Sequence, residues 1–431
     1  MNIFDRIVDH FTKMNGLEGL GTDYPVMLCI YLGIFFLCFL ANIALFVSDY
    51  SNRVVWIVDQ HKVIRSKFNY MAMLACTFTG VYLVGSFPSE LQNTYGTWNA
   101  DLFYTLGQTT IMITVGIYSL ATFKKRSSII LNSLSIIVGL STSIPMAATT
   151  ILSPLDIDSD IIRMVAIVAT IVAFVFLAAL SVKYDLLVKY SRINIYLFII
   201  TTIALFTTIN TYSNENVDMS KVLPFQGMIN GEPWRELLTN PYWWYFEATV
   251  VSWSIFCGRF IAYCSNGYSV KDIIKYGTIS LIVLTVIWHM VSAATGYTLS
   301  FSRGWVIYGL TALTMLAFAV TSLDSASKTL LNDIERISNN RKLKYSPNFF
   351  LKCCMCGIGL INIIILYTGS SKLFTILFCL IFIPFLVKAI VYCVKFALGK
   401  IDFNVSGTIT REEYIEICGK EPDESDFRRI V

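Results

Sequence analysis

Residues 242–260 read YWWYFEATVVSWSIFCGRF, a run apolar enough to lie in lipid that still carries a carboxylate, Glu247, and a guanidinium, Arg259. An ionisable group inside a bilayer is costly, so it faces a bundle interior or a wet cavity and is a functional candidate by default. If this span is centred near Trp253, six residues at 1.5 Å rise put Glu247 about 9 Å from the midplane. That is inside a hydrocarbon half-thickness of roughly 15 Å. Arg259 falls close to the inner surface, where its long stem would let it snorkel to water. The tryptophans Trp243 and Trp244 suit the aromatic belt at the outer surface.

The rest of the chain has the same character. Of 431 residues 55% are hydrophobic and only 14% charged, with a mean hydropathy of +0.62. A soluble domain of this size needs more charge to cover its surface, so the class is polytopic membrane protein. Residues 1–23 lack a basic start followed by an apolar run and read as a short amphipathic segment, not a cleaved signal peptide. Most of the eleven cysteines lie inside apolar runs, as Cys29, Cys38, Cys257 and Cys379 do, and behave as small hydrophobes without a disulfide framework. The cluster Cys353, Cys354 and Cys356 has no histidine or second cysteine pair near it, which argues against a metal site.

A helix crosses the hydrocarbon in about 20 residues. Runs of that kind fall near 24–48, 70–88, 102–123, 128–152, 161–182, 193–211, 241–264, 276–297, 305–327, 349–367 and 373–396, which makes about eleven transmembrane helices in an all-α fold. The loops alternate in charge. Lys124 and Lys125 mark one basic loop, and Arg336, Arg341, Lys342 and Lys344 another, whereas 89–101 and 153–160 hold no lysine or arginine. Basic loops stay in the cytoplasm, so the N-terminus is expected outside and the C-terminus inside, in a cell membrane. The net charge of +4 is thus topological and does not point to nucleic acid.

No loop is much longer than 212–240, and neither a phosphate-binding G-x-x-x-x-G-K-[ST] loop nor an H-E-x-x-H motif occurs. An enzyme or an ATP-driven pump is not expected. A secondary transporter, a channel or a membrane scaffold remains.

Three stretches resemble the betaine/choline/carnitine transporter family. SWSIFCGRFIAYCSNGYSVKDII (252–274) is similar to the family's S-W-S-P-F-V-G-x-F-I-A-R-I-S-R-G-R, and AVTSLDSASKTLL (319–331) to its F-[IV]-T-S-A-D-S-A. The passage from SDYSNRVVW (48–56) to NYMAMLA (69–75) follows the family's join between its second and third helices. The resemblance implies a LeuT-like fold of two inverted five-helix repeats, with binding near the midplane between the helices that open each repeat. Here the repeats would be 70–211 and 241–399. A peripheral helix and loop (24–69) would precede them, an extracytoplasmic connector (212–240) would join them, and a cytoplasmic tail (400–431) would follow. The 24–48 span lines up with the family's second helix, so a counterpart of the first is expected to be absent.

The same resemblance assigns a site. Family members that carry quaternary ammonium solutes line it with aromatic rings. Glu247, Thr249 and Val250 stand where the family has tryptophans, and Trp253 remains; on the partner helix Tyr104 keeps an aromatic, while Thr109 and Met112 replace two others. This argues against betaine, choline or carnitine. A solute amine that donates hydrogen bonds to Glu247 suits the change better. The family's second sodium is matched by Phe318, Thr321 and Ser322, its other half being carbonyls near Cys76 and Thr79. The alternative is that both hydroxyls bond carbonyls of their own helix. The family's G-M-G-x-G appears here as Phe78, Thr79, Gly80, Val81 and Tyr82, with one glycine of three kept.

Other polar residues have simpler readings. Asp324 and Lys328, four apart near the cytoplasmic end of their helix, read as a local ion pair at the interface, and His289 as a hydrogen-bonded core residue. In the tail, Thr410, Glu413 and Gly419 bound a short capped helix. Two functional readings follow. The leading one is a secondary active transporter, driven by sodium or protons, of a small amine-containing solute. The second, favoured by the lost glycines, is a transporter-derived protein that no longer transports and acts as a binding or regulatory partner. The expected partners are the solute, lipid and, by resemblance, two further copies in a homotrimer; sodium is the sole cofactor expected.

Overall fold

The computed structural model describes residues 24–55, 66–78, 98–122, 126–157, 159–180, 184–208, 241–295, 304–337, 356–361, 364 and 371–401. Ten helices of twelve residues or more run through them. They are α1 (Tyr24–Val47), α2 (Lys67–Phe78), α3 (Trp98–Thr122), α4 (Arg126–Leu152), α5 (Asp160–Leu180), α6 (Tyr184–Thr207), α7 (Pro241–Cys264), α8 (Val270–Thr295), α9 (Trp305–Ile337) and α10 (Ser371–Ala397).

The surface of this bundle is apolar and its interior carries the polar groups. Ile161, Val165, Val172 and Phe176 are exposed along α5, and Ile199, Ile203 and Phe206 along α6. Asn132, Asn194, Arg259, Asp324, Lys328 and Asp333 are all buried. That is the reverse of a water-soluble protein, where a large exposed apolar surface and buried charges are the exceptions. Among the described residues Asp160–Ala179, Leu186–Thr207 and Trp305–Asp333 are long and apolar enough to cross a bilayer. The chain is a membrane protein.

Helix contacts fall into matched pairs. α2 packs on α6, α8 and α9, while α7 packs on α10, α3 and α4; α6 packs on α8 and α9, while α10 packs on α3 and α4. Exchanging α2 with α7, α3 with α8, α4 with α9 and α6 with α10 turns each contact in one set into a contact in the other. Such a pattern is what two repeats of one design produce when they clasp each other. α1 lies outside the exchange, against α3, α7, α8 and α10.

One end of the bundle is tied by main chain. Val55 N–H donates to the Tyr268 carbonyl at 2.9 Å and Gly267 N–H to the Val55 carbonyl at 2.8 Å, joining the loop after α1 to the turn between α7 and α8. Gly267 sits at φ +85°, a backbone region that disfavours other residues. Tyr70 stacks on Tyr268 with centroids 4.1 Å apart and its hydroxyl meets Ser265 Oγ at 2.8 Å. Ser48 Oγ donates to the Ala397 carbonyl (3.0 Å), so the end of α10 joins the same face.

Several helices exceed the apolar runs that mark them: α6 begins at Tyr184, not 193, and α8 at Val270, not 276. α3 begins at Trp98, not 102, and α9 continues to Ile337, not 327. The α9 extension follows from its charges, which stop an apolar run yet are paired inside the protein.

Candidate functional site

The centre of the bundle holds main-chain groups whose partners are side chains of other helices. At the C-terminal end of α2, the Cys76 carbonyl accepts from Ser322 Oγ of α9 (3.5 Å). The Thr77 carbonyl accepts from Cys257 Sγ of α7 (3.7 Å), and the Phe78 carbonyl from Gln108 Nε2 of α3 (3.1 Å). Side chains from three different helices thus reach the last described turn of α2. α7 shows the complementary feature: the N–H of Phe256, inside the helix, donates to Ser135 Oγ of α4 at 3.0 Å.

α3 and α7 approach closely to form this centre. A Cβ on Gly258 would lie 2.5 Å from Val115 Cγ1 and 2.8 Å from the main-chain nitrogen of Gly116. Small residues at a membrane helix crossing permit that backbone approach.

Four of the expected sodium-site residues come together. Phe318 is fully buried, and Ser322 Oγ reaches across to Cys76. Thr321 Oγ1 donates back to its own helix, with the carbonyls of Ala317 and Phe318 both at 3.0 Å. It also accepts from Asn194 Nδ2 of α6 (3.0 Å), and the same Nδ2 lies 2.9 Å from the Ala317 carbonyl. Thr79 is outside the described residues. Two hydroxyls and the carbonyls of Cys76, Ala317 and Phe318 form an all-oxygen set, the donor chemistry that suits a hard monovalent cation. Here the Thr321 hydroxyl proton and the Asn194 amide bond to these oxygens.

Of the expected solute contacts, Thr109, Met112 and Trp253 are buried. The Trp253 indole packs on α4, where a Cβ on Gly139 would lie 2.9 Å from its Nε1. That Nε1 has no hydrogen-bond acceptor among the described residues. The side chains of Tyr104, Glu247, Thr249 and Val250 are outside the described residues, as is that of His289; the helices α3, α7 and α8 carry their backbone.

Arg259 does not snorkel. It is fully buried, and its Nη2 lies 2.5 Å from Asp333 Oδ1 of α9, with Nε at 3.1 Å from the same oxygen. Asn132 Nδ2 of α4 donates to Asp333 Oδ2 (2.6 Å), and Arg259 Nη1 meets Ser128 Oγ at 3.4 Å. The guanidinium points across the bundle because a carboxylate awaits it there, closer than water. The Asp324–Lys328 pair forms as expected, Nζ to Oδ2 2.6 Å, but it is buried rather than interfacial because α9 extends nine residues past Lys328. Asp333, Asn132 and Asn194 carry no motif; only the arginine within an apolar run signalled that an acid was required.

No family model matches the chain, and no curated protein matches it. Among solved structures it is similar to a Na+-coupled sialic acid symporter in its substrate-bound outward-open state, with a TM-score of 0.53 at 12% identity. The match covers 85% of this chain and 86% of that one. The chain has a LeuT-like fold. A looser similarity, TM-score 0.48 at 13% identity over 89% of this chain and 94% of the other, links it to the Eremococcus coleocola manganese transporter. At these identities the likeness is one of architecture.

Proposed function

We propose that the chain is a secondary active transporter of a small amine-containing solute, a divergent relative of the betaine/choline/carnitine carriers. The observation that carries this is the hydrogen bonding at the centre. The α2 carbonyls and the α7 amide bond to side chains of other helices in the middle of an apolar bundle. Side chains of several helices converging on main chain at a helix crossing are the kind of polar centre from which transporter sites are built. The repeats would be 70–211 and 241–399, with 212–240 connecting them outside the cell. Tyr104, Thr109, Met112, Thr249, Val250 and Trp253 would line the solute, with Glu247 as its counter-ion. Sodium would bind at Cys76, Thr79, Phe318, Thr321 and Ser322; the similar symporter is Na+-coupled, which makes sodium the first ion to test. The family resemblance favours a homotrimer.

Purified protein in liposomes with an inward sodium gradient tests the reading. Uptake of primary and secondary amines and amino acids should exceed that of betaine, and Glu247→Gln should reduce it at least about tenfold, since the charged contact is lost. Unchanged uptake of every solute by Glu247→Gln would remove the carboxylate from the site.

The second reading, a non-transporting partner protein, is favoured by one feature. The buried Arg259–Asp333–Asn132 cluster ties α7 to α4 and α9, a bond between helices that a rigid, non-transporting bundle would favour. Folded protein that moves no solute in the panel would decide for it.

A further inference from the structure

The oxygens around Thr321 already hold a donor of positive character. Asn194 Nδ2 directs its hydrogens at Thr321 Oγ1, 3.0 Å away, and at the Ala317 carbonyl, 2.9 Å away. Asn194 is itself buried. We propose that the Asn194 amide is a built-in competitor for the cation: it occupies the electrostatic place of the ion at Thr321, and sodium binds only when the amide is displaced. This inference rests on the sodium reading above and concerns what sets the affinity of that site.

An amide N–H carries partial positive charge, and a cation seeks the same lone pairs. A carboxamide is neutral, so it satisfies these oxygens without the desolvation cost of a charge. An incoming ion must break two buried hydrogen bonds before gaining its own ligands. That weakens binding by on the order of tenfold. Cys76 and Ser322 lie on the other side of the same junction. Cys76 Sγ donates to the Ser191 carbonyl (3.5 Å), which holds α6, the helix of Asn194, against α2. The position is therefore fixed from two sides, and a change at residue 194 alters the donor without removing the oxygens.

The test is thermal unfolding of purified protein against sodium chloride, with potassium chloride as the ionic-strength control. Ligand bound only to the folded state raises the transition in a concentration-dependent way. Asn194→Ala should respond to sodium at a concentration at least about tenfold lower than the parent does, and adding Thr321→Ala with Ser322→Ala should abolish the response. Asn194→Asp, which keeps the size and exchanges the donor for an acceptor, should become strongly sodium-dependent; it serves as well where the alanine variant fails to fold. If parent and variants respond at the same sodium concentration, the sodium site stands and the competitor is overturned. If no variant responds to sodium, the ion site and the competitor fall together.

Discussion

Arg259 and Asp333 form an ion pair with both side chains fully buried, a charge on α7 held by a charge on α9. Removing one partner strands the other in a place that water does not reach, which costs about 3–5 kcal/mol. Arg259→Met and Asp333→Leu alone should each lower the thermal transition sharply. The double variant should recover much of the loss, because no unpaired charge remains. Thermal unfolding of the four proteins as a double-mutant cycle measures this. A double variant as unstable as the sum of the singles would mean that the two side chains contribute separately.

The α3–α7 crossing gives a steric prediction. A Cβ at Gly258 would meet main chain, 2.8 Å from the Gly116 nitrogen, and main chain cannot rotate aside. Gly258→Ala should destabilise the protein by about 1–3 kcal/mol, the usual range for overpacking. Gly33 and Gly309 have nothing within 4 Å of an added Cβ, and both lie within helices. Alanine there should be neutral or slightly stabilising, since it favours helix over glycine. Thermal unfolding in one detergent compares the three. Equal effects would show that the crossing is less tight than its geometry.

The sequence reading and the structure agree where the signal is local. Thr321 and Ser322 sit in a recognisable motif; Thr321 bonds back to carbonyls of its own helix, the alternative the sequence also offered, while Ser322 reaches Cys76. Apolar runs located the helices because lipid demands them. The partner of Arg259 could not be read that way: Asp333 is 74 residues further on and beyond the point where hydropathy ends the helix. Charges interrupt an apolar run whether they face water or each other, so α9 read as ten residues too short on its polar side. Asn194 has neither charge nor motif. Only the three-dimensional meeting of α6 with α9 gives its amide a meaning.

The last prediction is topological. The loop after α1, the turn between α7 and α8 and the end of α10 share one face of the bundle, through Val55–Tyr268 and Ser48–Ala397 hydrogen bonds. That face gathers Arg53, Lys67, Lys271, Lys275, Lys395 and Lys400, while Leu152, Asp156 and Asp160 mark the opposite end of α4 and α5. Lysine and arginine are retained on the cytoplasmic side, so the basic face should be inside. With α1 ending there, its start at Tyr24 should lie outside. Single cysteines at Lys400→Cys and Asp160→Cys, both exposed positions, test it in intact cells with a membrane-impermeant maleimide, the parent protein correcting for its own thiols. Asp160→Cys should label at once and Lys400→Cys only after permeabilisation. The reverse order would invert the whole bundle and carry the Arg259–Asp333 pair to the outer side.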